Sequence, residues 1–170
     1  MIFGASGAVG TMAVQFAAQR GAHVIATASG AAPARLVRKL GAHRVIDARR
    51  TESIDRLRTF APDGLDAVLA LAGGDALERC LDFMRPRGRV VHPNGIEPVP
   101  MERRTFRVRN FDAVASPREF DKLNRYLAIG KIRVPIATSY PLGKAAQAHR
   151  RLDRAHLLGR MVLQVRRDRH

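Results

Sequence analysis

Gly4, Gly7 and Gly10 fall within one short run, separated only by Ala5, Ser6, Ala8 and Val9. Apart from the Ser6 hydroxyl, no side chain here can act as an acid, a base or a nucleophile. What such residues can do is let backbone come close to something. Glycines between a strand and a helix leave N–H groups and the positive helix end open to an anion, a pyrophosphate above all. Aligned on Gly7 and Gly10, the first glycine of a G-x-G-x-x-G run falls on Ala5, with Gly4 just before it. Small residues also close ordinary turns, so the run gains meaning only from the elements on either side.

Those elements have the required pattern. Met1-Ile2-Phe3 is a stub of a first strand, shorter than usual. Val9, Ala13, Phe16 and Ala17 recur at helical spacing, and Gly21 stands where a helix ends in the left-handed conformation. Residues 23–28 are β-branched and apolar, as a buried parallel strand would be. Pro33 suits the first turn of a second helix, with Leu36 and Leu40 on one face and Gly41 closing it. Residues 44–47 read as a third strand, and Ile54, Leu57 and Ala61 as a third helix ended by Pro62-Asp63-Gly64. A fourth strand over 65–72 stops at Gly73-Gly74. Leu77, Leu81 and Met84 predict a helix ending before Pro86, and residues 89–92 a fifth strand. Strands alternating with helices predict an α/β fold, a doubly wound parallel sheet of the Rossmann type with a truncated first strand. The rhythm then loosens. Residues 96–110 read as a loop, 111–115 as an edge strand, and Phe120, Leu123 and Leu127 as a helix ended by Gly130. A turn at Tyr140-Pro141-Leu142-Gly143, a helix over 144–152 and a strand over 161–165 complete the chain. The predicted division is a dinucleotide-binding domain, 1–130, and a C-terminal appendage, 131–170.

The second strand bears on which dinucleotide. A free ribose 2′-OH usually meets an Asp or Glu about twenty residues beyond the glycines. Here that position reads Thr27-Ala28-Ser29-Gly30, and the first acidic residue of the chain is Asp47. No carboxylate is expected there to accept from a 2′-OH or to repel a 2′-phosphate. Ser29, Arg35 and Arg38 could be phosphate ligands, although both arginines also suit a solvated helix face. The reading favours NADP(H) over NAD(H).

Other candidates carry less. Tyr140 and Lys144 have the Y-x-x-x-K spacing of short-chain reductases, but that chemistry needs one continuous helix face, and Pro141 and Gly143 interrupt it. His23 and His43 open their strands, His149 and His156 lack carboxylate or cysteine neighbours, and no metal site is expected. Cys80, beside Leu77, Leu81 and Met84, reads as a packed small hydrophobe. A lone cysteine excludes an internal disulfide framework and suits a reducing cytoplasm. The uncharged residues 1–19 lack a basic leader and are broken by glycines and polar residues, so neither a signal peptide nor a membrane span is expected. The net charge is +15, and only four of the 30 basic residues are lysine (Lys39, Lys122, Lys131 and Lys144). Arginines run through every segment, which reads as a solvated surface before it reads as a nucleic-acid face.

Residues 2–28, 40–47 and 66–91 resemble the cofactor half of medium-chain dehydrogenases/reductases. So do Ala76-Leu77-Glu78-Arg79-Cys80-Leu81, Pro86-Arg87-Gly88-Arg89-Val90-Val91 and Gly159-Arg160-Met161-Val162-Leu163. The pattern is similar to the quinone-oxidoreductase-like, zinc-binding-dehydrogenase-type branch. The resemblance implies an oxidoreductase passing hydride from a nicotinamide to a quinone or activated alkene without a catalytic metal. It places the pyrophosphate at Ala5, Ser6, Gly7, Ala8, Val9 and Gly10 and the adenosine end along Thr27, Ser29 and Arg35. The nicotinamide falls near Leu71, Ala72 and Gly73 and near Pro93, Asn94 and Gly95. The N-terminal catalytic domain of that family has no counterpart among these residues, so no catalytic residue is assigned and the chain is expected to be inactive alone. A homodimer through the edge strand is also implied. The competing readings are a non-catalytic dimerisation or regulatory module and a short-chain-type reductase using Tyr140 and Lys144.

Overall fold

The computed structural model describes residues 1–129, 132–154 and 157–165. Six strands form one parallel sheet: β1 (Ile2–Phe3), β2 (Ile25–Thr27), β3 (Arg44–Ile46), β4 (Leu65–Ala70), β5 (Met84–Pro93) and β6 (Arg107–Phe111). Their order is β3-β2-β1-β4-β5-β6. The chain works outward from β1 to β3 and then returns to place β4 on the other side of β1. That reversal opens a crevice at the strands' C-terminal ends, where doubly wound folds bind ligands. The glycine run leaves β1 at this point.

Successive residues of a strand face opposite sides of the sheet, and both sides are covered. On one side Ile2, Ala26, Val14 and Val37 pack together beneath α1 (Ala8–Gln19) and α2 (Ala31–Lys39). On the other, Phe3, Ile25, Ile46, Val68 and Val90 pack against Ile54, Leu57, Leu77, Cys80 and Leu81. These last five come from α3 (Thr51–Asp55), α4 (Leu57–Phe60) and α5 (Asp75–Leu81). Each fully buried leucine contributes about 1.5–3 kcal/mol relative to exposure. At the end of α1, Gly21 takes φ +74° while its N–H donates to the Ala18 carbonyl and the Ala22 N–H reaches Ala17, so the helix stops where its glycine stands.

The structure corrects several expectations. The third helix is two short ones, α3 and α4, joined at Arg56. Met84 is not the last residue of a helix: α5 ends at Leu81, and Met84 starts β5 while still packing against the core. The Pro86-Arg87-Gly88 segment is a bulge, across which pairing passes from Leu65–Met84 to Ala67–Arg89, with Arg87 at φ +66°. A Cβ on Gly88 would lie 3.0 Å from the Arg85 carbonyl oxygen and 3.1 Å from that of Leu65, a tight fit that glycine avoids. The edge strand is Arg107–Phe111 and not 111–115. Its arginines disguised it as loop, although Val108 alternates with them and packs toward the core.

Beyond the sheet, α6 (Pro117–Ala128) begins at Ser116, whose Oγ accepts from the Glu119 N–H, with proline in its first turn. Its expected terminator, Gly130, lies outside the described residues. The expected turn at 140–143 is half strand: β7 (Ile136–Pro141) pairs in parallel with β8 (Arg160–Gln164), and a single 3₁₀ turn, Leu142–Lys144, leads into α7 (Ala145–Arg154). These two strands form a sheet of their own. The buried Gln15 of α1 ties their approach to the main body. Its amide donates to the Arg133 carbonyl and accepts from the Arg133 N–H, both at 2.7 Å, as a neighbouring strand would.

Candidate functional site

The glycine run is held from both neighbouring strands. The Gly4 N–H donates to Thr27 Oγ1 at 2.8 Å, and the Ala5 N–H to the Thr27 carbonyl at 3.2 Å. Thr27, expected at the adenosine end, is buried and serves the loop itself. Ala5 is fully buried. A Cβ on Gly10 would lie 2.4 Å from the Gly4 carbonyl oxygen and 2.6 Å from the Ala5 Cα. Only glycine lets α1 pack this tightly on the loop that precedes it. Gly7 is the N-cap of α1, in extended conformation and without a side-chain cap hydrogen bond. The first turn holds no acidic residue. The N–H groups of Ala8, Val9 and Gly10 therefore keep their ordinary demand for acceptors beside the half-buried Ser6, and the helix dipole adds positive potential. Val9, at that end, is 56% exposed. A pyrophosphate fits this cradle, since its oxygens supply the acceptors that the sequence withholds.

The two predicted nicotinamide segments lie along the same end of the sheet. The Leu71 N–H donates to the Phe3 carbonyl, and a Cβ on Gly4 would meet the Leu71 Cβ at 3.3 Å, so the end of β4 adjoins the glycine run. Ala72 is exposed, and Gly73 takes the Pro98 carbonyl where a Cβ would be, only 2.0 Å away. The loop after β5 thus folds back over the end of β4. Arg103 pins it, binding Glu78 at 3.3 Å and pairing with Asp82. Pro93 ends β5, the Asn94 N–H donates to the Phe111 carbonyl, and Asn110 donates from its amide to Asn94 Oδ1 at 2.7 Å. Gly95, at φ +84°, faces open space.

The strand ends expected to meet the adenosine hold a residue that sequence reasoning missed. Ser29 Oγ donates to Asp47 Oδ1 at 2.5 Å. Asp47 is eighteen residues away in the chain, but the parallel pairing of β2 and β3 brings the two strand ends side by side. A carboxylate therefore does stand at this position, contrary to the expectation. The available signal was the third strand's own acidic terminus. Burial alone would raise the Asp47 carboxyl. The Ser29 hydroxyl, the Arg49 N–H and the Arg49 guanidinium outweigh it and hold the group below the usual carboxylate value of 3.8. Around it lies a cavity of about 370 Å³, lined in part by Gly30, Arg38, Asp47, Arg50, Ser53 and Arg56. Arg35 is exposed on α2 and does not line it.

Tyr140 lies on β7 and Lys144 in the 3₁₀ turn, so no helix face carries both. Cys80 is buried, and desolvation pushes its thiol up to about 12, a packed and unreactive group. Among the described residues, no three His, Cys, Asp or Glu side chains come together as metal ligands would. The described donors therefore do not fit a zinc ion. No helix of the described residues is long and apolar enough to cross a membrane.

Comparison with known proteins gives the same picture. The family model described as zinc-binding dehydrogenase matches residues 40–163. The quinone oxidoreductase of Rattus norvegicus is 28% identical over 172 residues, covering 95% of this chain and 52% of that protein. The quinone oxidoreductase of Sus scrofa is 30% identical, covering 96% of this chain and 53% of its own length. The chain thus spans about half the length of the curated relatives it matches. Among solved structures, AibC superposes with a TM-score of 0.83 at 31% identity, over 95% of this chain and 47% of that one. The Escherichia coli quinone oxidoreductase complexed with NADPH gives 0.79 at 26% identity, over 96% and 56%. With its glycine run at the sheet's reversal point and this match over most of its length, the chain belongs to the zinc-binding dehydrogenase family, among the quinone-oxidoreductase-like medium-chain dehydrogenases/reductases.

Proposed function

We propose that this chain binds a nicotinamide dinucleotide, NADP(H) in preference to NAD(H), as the cofactor half of a quinone- or enone-reducing oxidoreductase. The observation that carries the reading is the uncapped N-terminus of α1, packed by Gly10 against a glycine loop at the point where strand order reverses. The two halves of the adenosine end pull in opposite directions. Asp47 disfavours a 2′-phosphate, whereas Arg38, Arg50 and Arg56 around it favour one. The lining also holds Glu52, so three guanidiniums face two carboxylates, of which Asp47 is already engaged by Ser29 and Arg49, and the balance stays positive. NADPH-bound relatives support the same preference.

The bound nicotinamide supplies a hydride. Leu71, Ala72 and Gly73 after β4 and Pro93, Asn94 and Gly95 at the end of β5 would hold it at the C-terminal end of the sheet. Gly95 borders open space and Ala72 is exposed, so among the described residues only the loop at Pro98 covers this end of the sheet. Residues 1–130 act as the binding domain, and 131–170 as an appendage shaped to meet another domain. The chain works in the cytoplasm, as a dimer through β6. Calorimetric titration tests the reading: NADPH binds more tightly than NADH, and Arg38→Glu removes the difference. Arg35→Glu has the smaller effect because Arg35 stands outside the cavity. Equal or reversed affinities for the two cofactors in the unsubstituted chain would refute the preference.

A further inference from the structure

One face of the sheet's outer edge carries an unused concentration of positive charge. Arg89 of β5 pairs in register with Arg107 of β6, and Arg109 stands opposite Val91. Residues two apart on a strand share a face, and neighbouring strands lie about 4.8 Å apart. Arg89, Arg107 and Arg109 therefore project together from one side. It is the side away from α5, because the alternate residues Val90 and Val108 pack into the core that α5 covers. Arg87, on the bulge, is brought alongside by its N–H, which donates to the Thr105 carbonyl at 2.7 Å. Arg104 completes the rim of a cavity of about 1170 Å³.

Arg103 also lines this cavity, but Glu78 and Asp82 neutralise it. The other five arginines have no ion-pair partner among the described residues, and Glu102 is the one carboxylate in the lining. Five guanidiniums against one carboxylate repel one another unless an anion lies between them. A guanidinium fork matches phosphate oxygens bidentately. A single orthophosphate cannot meet groups spread over two strands, a bulge and a loop, whereas linked phosphates can. Phe106, the ring in the lining, is 3% exposed and offers no face on which a base could stack. The dinucleotide crevice is elsewhere. It lies at the C-terminal ends of the parallel strands, past Pro93 and Phe111, while Arg107 begins β6 with Arg89 beside it and Arg109 stands mid-strand.

We propose that this face is a second, independent anion site that takes an oligophosphate, a ligand with two or more linked phosphates. Free polyphosphate and the phosphate tail of a nucleotide share that chemistry, and the phosphates alone are read. The test is calorimetric titration of the full chain with sodium tripolyphosphate in about 0.15 M salt, a strength that screens diffuse attraction. Expected is saturable binding of one ligand per chain, at least tenfold tighter than orthophosphate and unchanged by saturating NADPH. ATP binds as tightly as tripolyphosphate. Arg89→Gln with Arg107→Gln weakens binding at least tenfold without lowering the thermal midpoint of the ligand-free chain, because it relieves repulsion. Glu102→Gln tightens binding. The proposal is overturned by affinity no better than that of orthophosphate, by indifference to the double substitution, or by looser binding in Glu102→Gln. Tenfold tighter binding of an oligothymidylate than of tripolyphosphate would also overturn it, making the face a nucleic-acid surface.

Discussion

Gly10 and Asp47 are the residues on which the candidate site turns, for opposite reasons. Gly10 matters for what it lacks. Alanine there sets a Cβ against the Gly4 carbonyl and the Ala5 Cα, which are backbone atoms and cannot rotate away. Gly10→Ala is expected to cost about 1–3 kcal/mol in urea unfolding, as overpacking does, and to abolish dinucleotide binding measured by calorimetry. Asp47 matters for where β3 delivers it. Its folded value lies below 3.8, so its contribution to stability is complete above that value and is lost as pH falls through the lowered one. Unfolding of the unsubstituted chain is expected to weaken more steeply on acidification below about pH 4 than that of Asp47→Asn. The same substitution should tighten NADPH relative to NADH, since it removes the charge facing a 2′-phosphate. Equal acid sensitivity of the two proteins would count against the first statement, and an unchanged ratio of NADPH to NADH affinity against the second.

At the scale of elements, the molecule has a firm part and a loosely attached one. The helix α1 packs Val14 into a core cluster, and its Gln15 clasps Arg133 from inside. Gln15→Leu keeps the volume but leaves the Arg133 N–H and carbonyl without these partners. A loss of about 1–3 kcal/mol is expected, the ordinary cost of orphaned polar groups in a partly buried setting. The β7–β8 pair is a two-stranded sheet, and such a sheet is marginal without further packing. Of α7, only Ala148 is buried. Amide exchange in β7, α7 and β8 should accordingly be faster than in α1, as hydrogen-exchange mass spectrometry would show. Gln15→Leu should widen the gap. Uniform protection across both regions would show that the appendage is held by contacts stronger than these.

For the whole molecule, assembly and activity are the open outcomes. The edge strand β6 presents unpaired backbone groups on its outer side, and pairing with a second copy closes that edge. Antiparallel pairing would also bring Arg107 and Arg109 of two chains close together, a destabilising arrangement of like charges. Dimerisation should therefore strengthen with salt, the reverse of a contact built on ion pairs. Light scattering at low and high ionic strength reads this directly, and a strict monomer at micromolar concentration in both would exclude the edge as an interface. Quinone or enone reduction by these residues alone should be negligible even where NADPH binds, because the crevice beside Gly95 and Ala72 is open among the described residues. Robust NADPH-dependent turnover by the purified chain would show that a complete site exists within it.

The sequence by itself determined the parallel sheet, the glycine loop and the family. Those signals are local or repeat at fixed spacing: Gly7 and Gly10 before an apolar helix, β-branched strands, and glycines at helix ends. Spacing also identified Tyr140 and Lys144 as a false pair, because Pro141 and Gly143 interrupt any helix between them. Tertiary structure alone decided what depends on neighbours distant in the chain. It set Asp47 beside Ser29 through the β2–β3 ladder and folded Pro98 over Gly73. It turned Met84 from helix to strand by way of a bulge. It also aligned arginines of two strands on one face. Periodicity reports which side of an element is buried. It does not report which other element lies across from it, and both the adenosine end and the arginine face are made from such pairings.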